Sequence, residues 1–360
     1  NNALECVAIG NSVMAAITTG DYNVGVGSNA LNDVTTGEHN VAVGAYALDA
    51  EDDGDRNTAI GYQALTAQTG TSGTVGNTAV GHNSGSALTT GADNTFIGYK
   101  AAGTGVVTGG ENTAVGVTAL NDLTSGDTNV AVGVRAGLVL TEGDSNVFVG
   151  KDAGDSATVI NEAVLIGHNA GNAISTSTAV DGTIGIGAET LASLTTGAGN
   201  TAIGYKAGLE TETGSKSVVI GYEAANNTAN LLGDSNILIG YQCGGVGQWA
   251  GASNNNTIIG ANAFNGAVNQ SHTNTGVGFN VVKSLTTGDN NNAFGAYSLD
   301  ALTTGSSNVA IGNGTASVMT TTSDCTIVGV EAGAAMSAGQ TTTNGTVAVG
   351  RQALTALTSG

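Results

Sequence analysis

The sequence predicts an all-β fold, a parallel β-solenoid of about twenty coils with about 17 residues in each coil. A five-residue element, Asn-Val-Ala-Val-Gly at 40–44, recurs with small changes twenty times between Gly10 and Gly350. Twelve of the nineteen intervals between its closing glycines are 17 residues long, and the other seven are 18 to 21. Self-similarity at a short fixed period is typical of a solenoid. We call the closing residue of each copy the repeat glycine.

The residues before the repeat glycine favour a strand. The residue directly before it is Val or Ile in nineteen copies, and two places earlier Val, Ile or Thr recurs in every copy except the one with Asn292. β-Branched side chains at a spacing of two are typical of strands. The residue between them is never polar. A strand that is apolar on both faces is buried on both faces, so we predict that its second face meets another copy of the chain.

The rest of each coil is also regular. A small residue lies three places after the repeat glycine, a leucine often follows, and a further apolar residue leads into a Thr-Thr-Gly turn such as 195–197. We predict two short strands and two turns in each coil. The unbroken period predicts one repetitive shaft over residues 1–360, with an irregular, loop-bearing section at 221–278 where consecutive intervals are long. Because the chain opens and stops inside a repeat, we expect a fragment of a longer chain.

The charge of the chain limits its partners. The formal net charge is −20, which disfavours nucleic acid and anionic membrane surfaces because both attract basic proteins. Seven acidic residues lie six places before a repeat glycine: Asp21, Glu38, Asp55, Asp127, Asp144, Asp234 and Asp289. One interpretation is a solvated turn edge that keeps the protein soluble. The other is a ladder of carboxylates that binds Ca²⁺ or Mg²⁺, with Asp21, Glu38 and Asp55 as candidate ligands.

Two further positions form columns when coils stack. The asparagine that opens the repeat element is present in fourteen of twenty copies, and we predict a structural amide ladder in which each side chain bonds to the next coil. Its members include Asn23, Asn40, Asn57, Asn129 and Asn308. Five of the eight tyrosines directly follow a repeat glycine. They either cap the edge of the apolar core or form an aromatic strip that stacks on sugar rings.

Catalytic motifs are nearly absent. The four histidines lie in different coils and lack metal-ligand spacing. Neighbouring acids such as Asp52 and Asp53 suit a glycosidase, but carboxylates are too common here to be informative. The three cysteines suit buried small side chains rather than a disulfide framework. We therefore predict no enzyme, no cofactor and, since no apolar run is long enough, no membrane insertion in this segment.

The only tryptophan lies in the irregular section, where loops on a rigid scaffold are the expected place for binding. An indole can pack on the apolar face of a sugar. We predict that any glycan contact centres on Trp249, Tyr241 and Gln248. The alternative is that Trp249 fills an enlarged coil or a seam between copies.

The element Asn-[Thr/Val]-Ala-[Ile/Val]-Gly resembles the head repeat of trimeric autotransporter adhesins. The longer unit, as at 112–126, is similar to shaft repeats of bacteriophage tail fibres and related bacterial surface fibres. The resemblance covers essentially the whole chain. It implies a homotrimeric fibre, extracellular or borne on a virion, with other fibre and baseplate proteins or a host-cell glycan as partners. A phage tail fibre is the first expectation and a bacterial adhesin head or stalk the second. A carbohydrate-active tailspike and an ice-binding solenoid are minor alternatives.

Overall fold

A computed structural model describes residues 4–69, 73–174, 180–227, 233–245, 249, 251–336 and 344–355. These residues contain no α-helix, and their strands are two or three residues long. The chain divides into two compact units, Asn1–Asp181 and Gly182–Gly360. Each unit is a parallel β-solenoid in which successive strands lie about 17 residues apart along the chain. The predicted fold class is confirmed.

The first unit has ten strands in one parallel ladder, and each strand pairs with the strand of the next coil. Register follows the repeat, so Ala131 lies between Ala114 and Phe148. A second, two-stranded ladder joins β4 to β6. The strands are β1 (Val7–Ile9), β2 (Val24–Val26), β3 (Val41–Val43), β4 (Gly54–Asp55), β5 (Thr58–Ile60), β6 (Gly73–Thr74), β7 (Thr78–Val80), β8 (Thr95–Ile97), β9 (Thr113–Val115), β10 (Val130–Val132), β11 (Val147–Val149) and β12 (Val164–Ile166).

The second unit repeats this arrangement with ten parallel strands paired in chain order. Its register also joins equivalent residues, as where Leu238 lies between Val219 and Ile258. The strands are β13 (Ile184–Ile186), β14 (Thr201–Ile203), β15 (Val218–Ile220), β16 (Ile237–Ile239), β17 (Thr257–Ile259), β18 (Thr275–Val277), β19 (Asn292–Phe294), β20 (Val309–Ile311), β21 (Thr326–Val328) and β22 (Val347–Val349).

The interior of each coil is filled from the middle of the strand. Ala42, Phe148 and Leu238 all occupy that position and are fully buried. Where the middle residue of the strand is large, the residue that packs against it from the preceding coil is small. A Cβ on Gly137 would lie 2.7 Å from the Phe148 ring, so that position must stay glycine where the strand carries Phe. Apolar residues at fixed repeat positions therefore build a continuous core within each unit.

The repeat glycine makes the corner where the chain leaves the strand. Gly133 has φ +139°, a conformation that side-chain-bearing residues avoid. Its Cα also faces the next coil, because an added Cβ would lie 2.5 Å from the carbonyl oxygen of Gly150. Coils stack about 4.8 Å apart, and this spacing leaves no room for a methyl group at the corner.

The predicted second strand of each coil is wrong for most of the described coils. Among the described residues of the first unit, the second ladder is restricted to β4 and β6 and to an isolated bridge between Leu88 and Val107. At a Thr-Thr-Gly turn the N–H groups of Thr18, Thr19 and Gly20 all point to one acceptor, the carbonyl oxygen of Thr35. A strand would need alternating donors and acceptors. Positive φ at residues such as Leu48 (51°) also breaks the extended conformation after the corner.

Candidate functional site

The two faces of each strand have different environments. Ala131 is fully buried, whereas its neighbours Val130 and Val132 are 36% and 37% exposed. The same holds in the second unit, where Ala202 is buried and Ile203 is 37% exposed. We call the outward residues, one and three places before each repeat glycine, the outer strand face. They are Val, Ile or Thr apart from Asn292 and Phe294, so this face carries no charged side chain.

A second exposed column, the ring column, consists of the residues directly after the repeat glycines. In the first unit the ring of His82 lies between the rings of Tyr62 and Tyr99, with centroid distances of 5.1 Å to Tyr62 and 5.6 Å to Tyr99. In the second unit Tyr205, Tyr222 and Tyr241 do the same at 5.2 and 5.7 Å. These tyrosines are 38–49% exposed. The tyrosines therefore form an exposed aromatic column that also includes His82, and its stacking on sugar rings stays a prediction.

The cations beside the ring column also contact it. Lys206 Nζ lies 5.2 Å from the centre of the Tyr205 ring and 3.5 Å from Glu189 Oε2. The hydrogen bond with Tyr205 and the charge of Glu189 raise the pKa of Lys206. A groove of about 410 Å³ runs beside this column. Its described lining includes Lys206, Leu209, Glu223, Asn226 and Gln242.

The amide ladder forms as predicted for the asparagines that open the element. Asn129 Nδ2 donates to the carbonyl oxygen of Gly143 at 2.8 Å, and the backbone N–H of Asn129 donates to Asn112 Oδ1 at 2.9 Å. Asn23, Asn40, Asn57 and Asn308 make equivalent bonds between coils. All are at most 1% exposed. The side chains of Asn23, Asn40, Asn129 and Asn308 each donate to a buried backbone carbonyl. Asn57 Nδ2 donates instead to Asn40 Oδ1 at 3.1 Å. The ladder therefore has a structural role.

The acids six places before the repeat glycine make a different ladder. Asp55 Oδ1 accepts the backbone N–H of Glu38 at 2.8 Å, and Asp21 Oδ1 accepts that of Leu4 at 2.6 Å. Asp127 and Asp144 act in the same way. These carboxylates therefore satisfy backbone donors of the preceding coil. Asp21, Glu38 and Asp55 remain candidate ligands by chemistry alone, and Ca²⁺ or Mg²⁺ binding there stays a prediction.

Among the described residues, one group of carboxylates has ligand atoms within 4.8 Å of one another, namely Glu51, Asp52 and Asp53. Glu51 is fully buried and already accepts bonds from the Gly54 N–H at 2.7 Å and from Gln68 Nε2 at 2.6 Å. Burial raises the pKa of Glu51. The polar pair Glu51 and Gln68 was not predicted, because the pattern places an apolar residue there.

Trp249 lies inside its coil. The indole is 1% exposed and packs edge-on against Phe264, with ring centroids 5.5 Å apart. A buried indole has no free face for a sugar, so the interpretation in which Trp249 fills an enlarged coil fits the structure. Tyr241 is 49% exposed and belongs to the ring column. Gln248 lies outside the described residues.

The cysteine and threonine side chains contribute to the structure of the coils. Cys243 is fully buried, and burial raises the pKa of its thiol to about 12, so it stays protonated at neutral pH. Cys6, Cys243 and Cys325 are not joined in disulfide bonds. The first threonine of several turns donates its hydroxyl to a backbone carbonyl of the next coil, as Thr124 does to Thr141 at 2.9 Å. These hydroxyls support coil stacking.

No protein-family model matches this chain, and a search of curated proteins finds no relative. Within the part of the chain that the structure describes, no helix has the length and apolar character needed to cross a membrane.

Proposed function

We propose that this chain is the structural shaft of an extracellular or virion-borne fibre, a homotrimer that carries a host-receptor-binding tip, as in a phage tail fibre. The observation that supports this is the outer strand face. Val43, Ile60, Val132 and Ile203 are 36–39% exposed in the single chain, and their column contains no charge to keep it solvated. Long exposed apolar surfaces are typical of protein–protein contacts.

A second copy of the chain suits this face best. The outward side chains repeat at the coil spacing, so an identical ladder can match them coil by coil. Residues elsewhere on the surface, such as Asp127 and Glu142, are exposed and charged, and a net charge of −20 opposes random association. Copies that meet along the uncharged face keep their acidic edges apart. The trimeric state is taken from the resemblance to fibre shaft repeats.

Light scattering on the purified chain tests the assembly. We expect a mass three times that of the 34.9 kDa chain. Replacement of two outward residues, Val132→Asp and Ile203→Asp, should release monomers that keep the β-rich circular dichroism spectrum. The matched control is Val318→Asp, since Val318 is 40% exposed but lies outside the outer strand face. A stable monomer of the unaltered chain contradicts the proposal.

A bacterial adhesin head or stalk is the second candidate, supported by the same repeat element. Both fibres need the same stacked coils, so the repeats favour neither of them. Electron microscopy with an antibody against this chain separates the two. Labelled tails on virus particles support the first candidate, and labelled filaments on a bacterial surface support the second.

A further inference from the structure

We propose that the second unit binds one neutral sugar ring in a notch of the ring column, between Tyr241 and Phe279 and above Ala261. The inference deepens the proposed fibre function and rests on it for the biological use of the site. The proposed site lies on an exposed surface, whereas Trp249 is buried.

The order of residues in the ring column creates the notch. Tyr241, Ala261 and Phe279 follow consecutive repeat glycines. Backbone hydrogen bonds show that their coils are neighbours. The N–H of Asn262 donates to the carbonyl oxygen of Tyr241 at 2.9 Å, and the N–H of Asn280 donates to the carbonyl oxygen of Ala261 at 3.0 Å. A methyl group therefore separates two large aromatic side chains.

The ring of Tyr241 has one covered face and one open face. Tyr222 stacks on it at 5.7 Å with an interplanar angle of 13°. The rings of Tyr222 and Tyr241 are nearly parallel and stack in the direction in which the coils stack. The face of the Tyr241 ring opposite Tyr222 is therefore directed toward the next coil, where Ala261 has only a methyl group. Tyr241 is the most exposed member of its stack, at 49%.

The width of the notch suits a saturated six-membered ring. Two coil spacings of about 4.8 Å separate Tyr241 and Phe279 along the column, or about 9.6 Å. Carbon–carbon contacts of about 3.5–4.0 Å on both sides of a puckered ring fit within that span. Phe279 is 42% exposed and its ring meets Tyr297 of the following coil edge-on at 5.4 Å, so this contact lies on the side of Phe279 away from Ala261.

The residues beside the notch select an uncharged ligand. Gln242, Asn262 and Asn280 follow the three ring-column residues. Asn262 carries an amide that can bond to hydroxyl groups, whereas Gln242 Nε2 already donates to Glu223 Oε2 at 2.8 Å and Asn280 Oδ1 is buried. No residue of these three pairs is charged, while the chain as a whole repels anions. Gln242 also lines the 410 Å³ groove with Glu223 and Lys206, which offers a path for a longer glycan.

Titration of the purified chain with methyl glycosides of glucose, galactose and N-acetylglucosamine, followed by saturation-transfer NMR, tests the site. We expect millimolar binding of at least one glycoside. Tyr241→Ala should weaken it at least tenfold, and Ala261→Phe should abolish it by filling the notch. Tyr62→Ala is the matched control, because Tyr62 is 44% exposed in the ring column of the first unit and its loss should leave binding unchanged.

Three results overturn the inference, and a fourth overturns its neutral ligand class. One is that none of the glycosides binds, and another is that binding survives both Tyr241→Ala and Ala261→Phe. The third is that Tyr241→Ala lowers the mass of the assembly in light scattering, since a second copy then occupies the notch. The fourth is that a methyl sialoside, titrated beside the three neutral glycosides, binds in preference to them. A monomeric mass with sugar binding intact would contradict the fibre proposal and leave the sugar site standing.

Discussion

Gln68 Nε2 donates a 2.6 Å hydrogen bond to the buried carboxylate of Glu51, one coil away, inside an otherwise apolar column. Both residues lie seven places after a repeat glycine, where Val34, Leu123 and Leu140 are buried in other coils of the first unit. Coils with similar sequences can pair out of register with little loss of apolar contact. A polar pair that is satisfied in one register alone favours that register.

Glu51 gives the first unit a pH-dependent stability. Its pKa is raised in the folded chain, chiefly by burial. The protonated form is therefore favoured by folding, so the stabilising contribution is complete below the unfolded pKa of about 4. It is lost as pH rises through the folded pKa. We expect the melting temperature of the native chain to fall, relative to Glu51→Gln, between about pH 4 and neutral pH.

The matched control for this titration is Glu142→Gln, because Glu142 is exposed in the same unit. Its melting curve should follow that of the native chain across the pH range. Parallel pH profiles for the native chain and Glu51→Gln would show that the buried carboxyl does not govern this dependence.

The amide ladder makes Asn129→Asp strongly destabilising. The change removes the Nδ2 donor to Gly143 and places a carboxylate 3.0 Å from Asn112 Oδ1 in a fully buried site. An uncompensated buried charge costs about 3–5 kcal/mol. Thermal or chemical unfolding at neutral pH measures this loss. Asn313→Asp at an exposed position should change stability little, and equal effects of the two variants would mean that the ladder is unimportant.

The corner glycine has no room for a side chain. Gly133→Ala places a methyl group 2.5 Å from the carbonyl oxygen of Gly150 and also requires φ near +139°. Gly314→Ala adopts φ +61° with its nearest contact at 3.7 Å, so its cost is about 1–2 kcal/mol. We expect Gly133→Ala to lower the melting temperature considerably more. Similar melting curves for the two variants would show that the coils separate easily at the corner.

Trp249 contributes to stability through packing. Trp249→Ala removes a fully buried indole and its contact with Phe264, which should cost about 3–5 kcal/mol. Trp249→Phe should retain more of the stability than Trp249→Ala because a ring remains. Urea unfolding measures the difference. Unchanged stability in Trp249→Ala would mean that the indole leaves its coil in solution.

The sequence by itself determined the period, the strand positions and the amide ladder, because each follows from residues that recur at fixed spacing. The alternation of strand residues also showed that both faces are apolar, but not which face turns inward. Only the tertiary structure decided that Ala131 fills the coil and Val132 faces outward, since the direction of the corner at Gly133 fixes that choice. It likewise buried Trp249 and paired Glu51 with Gln68. Those contacts join residues from different coils, and a repeat pattern alone does not specify what its exceptions touch.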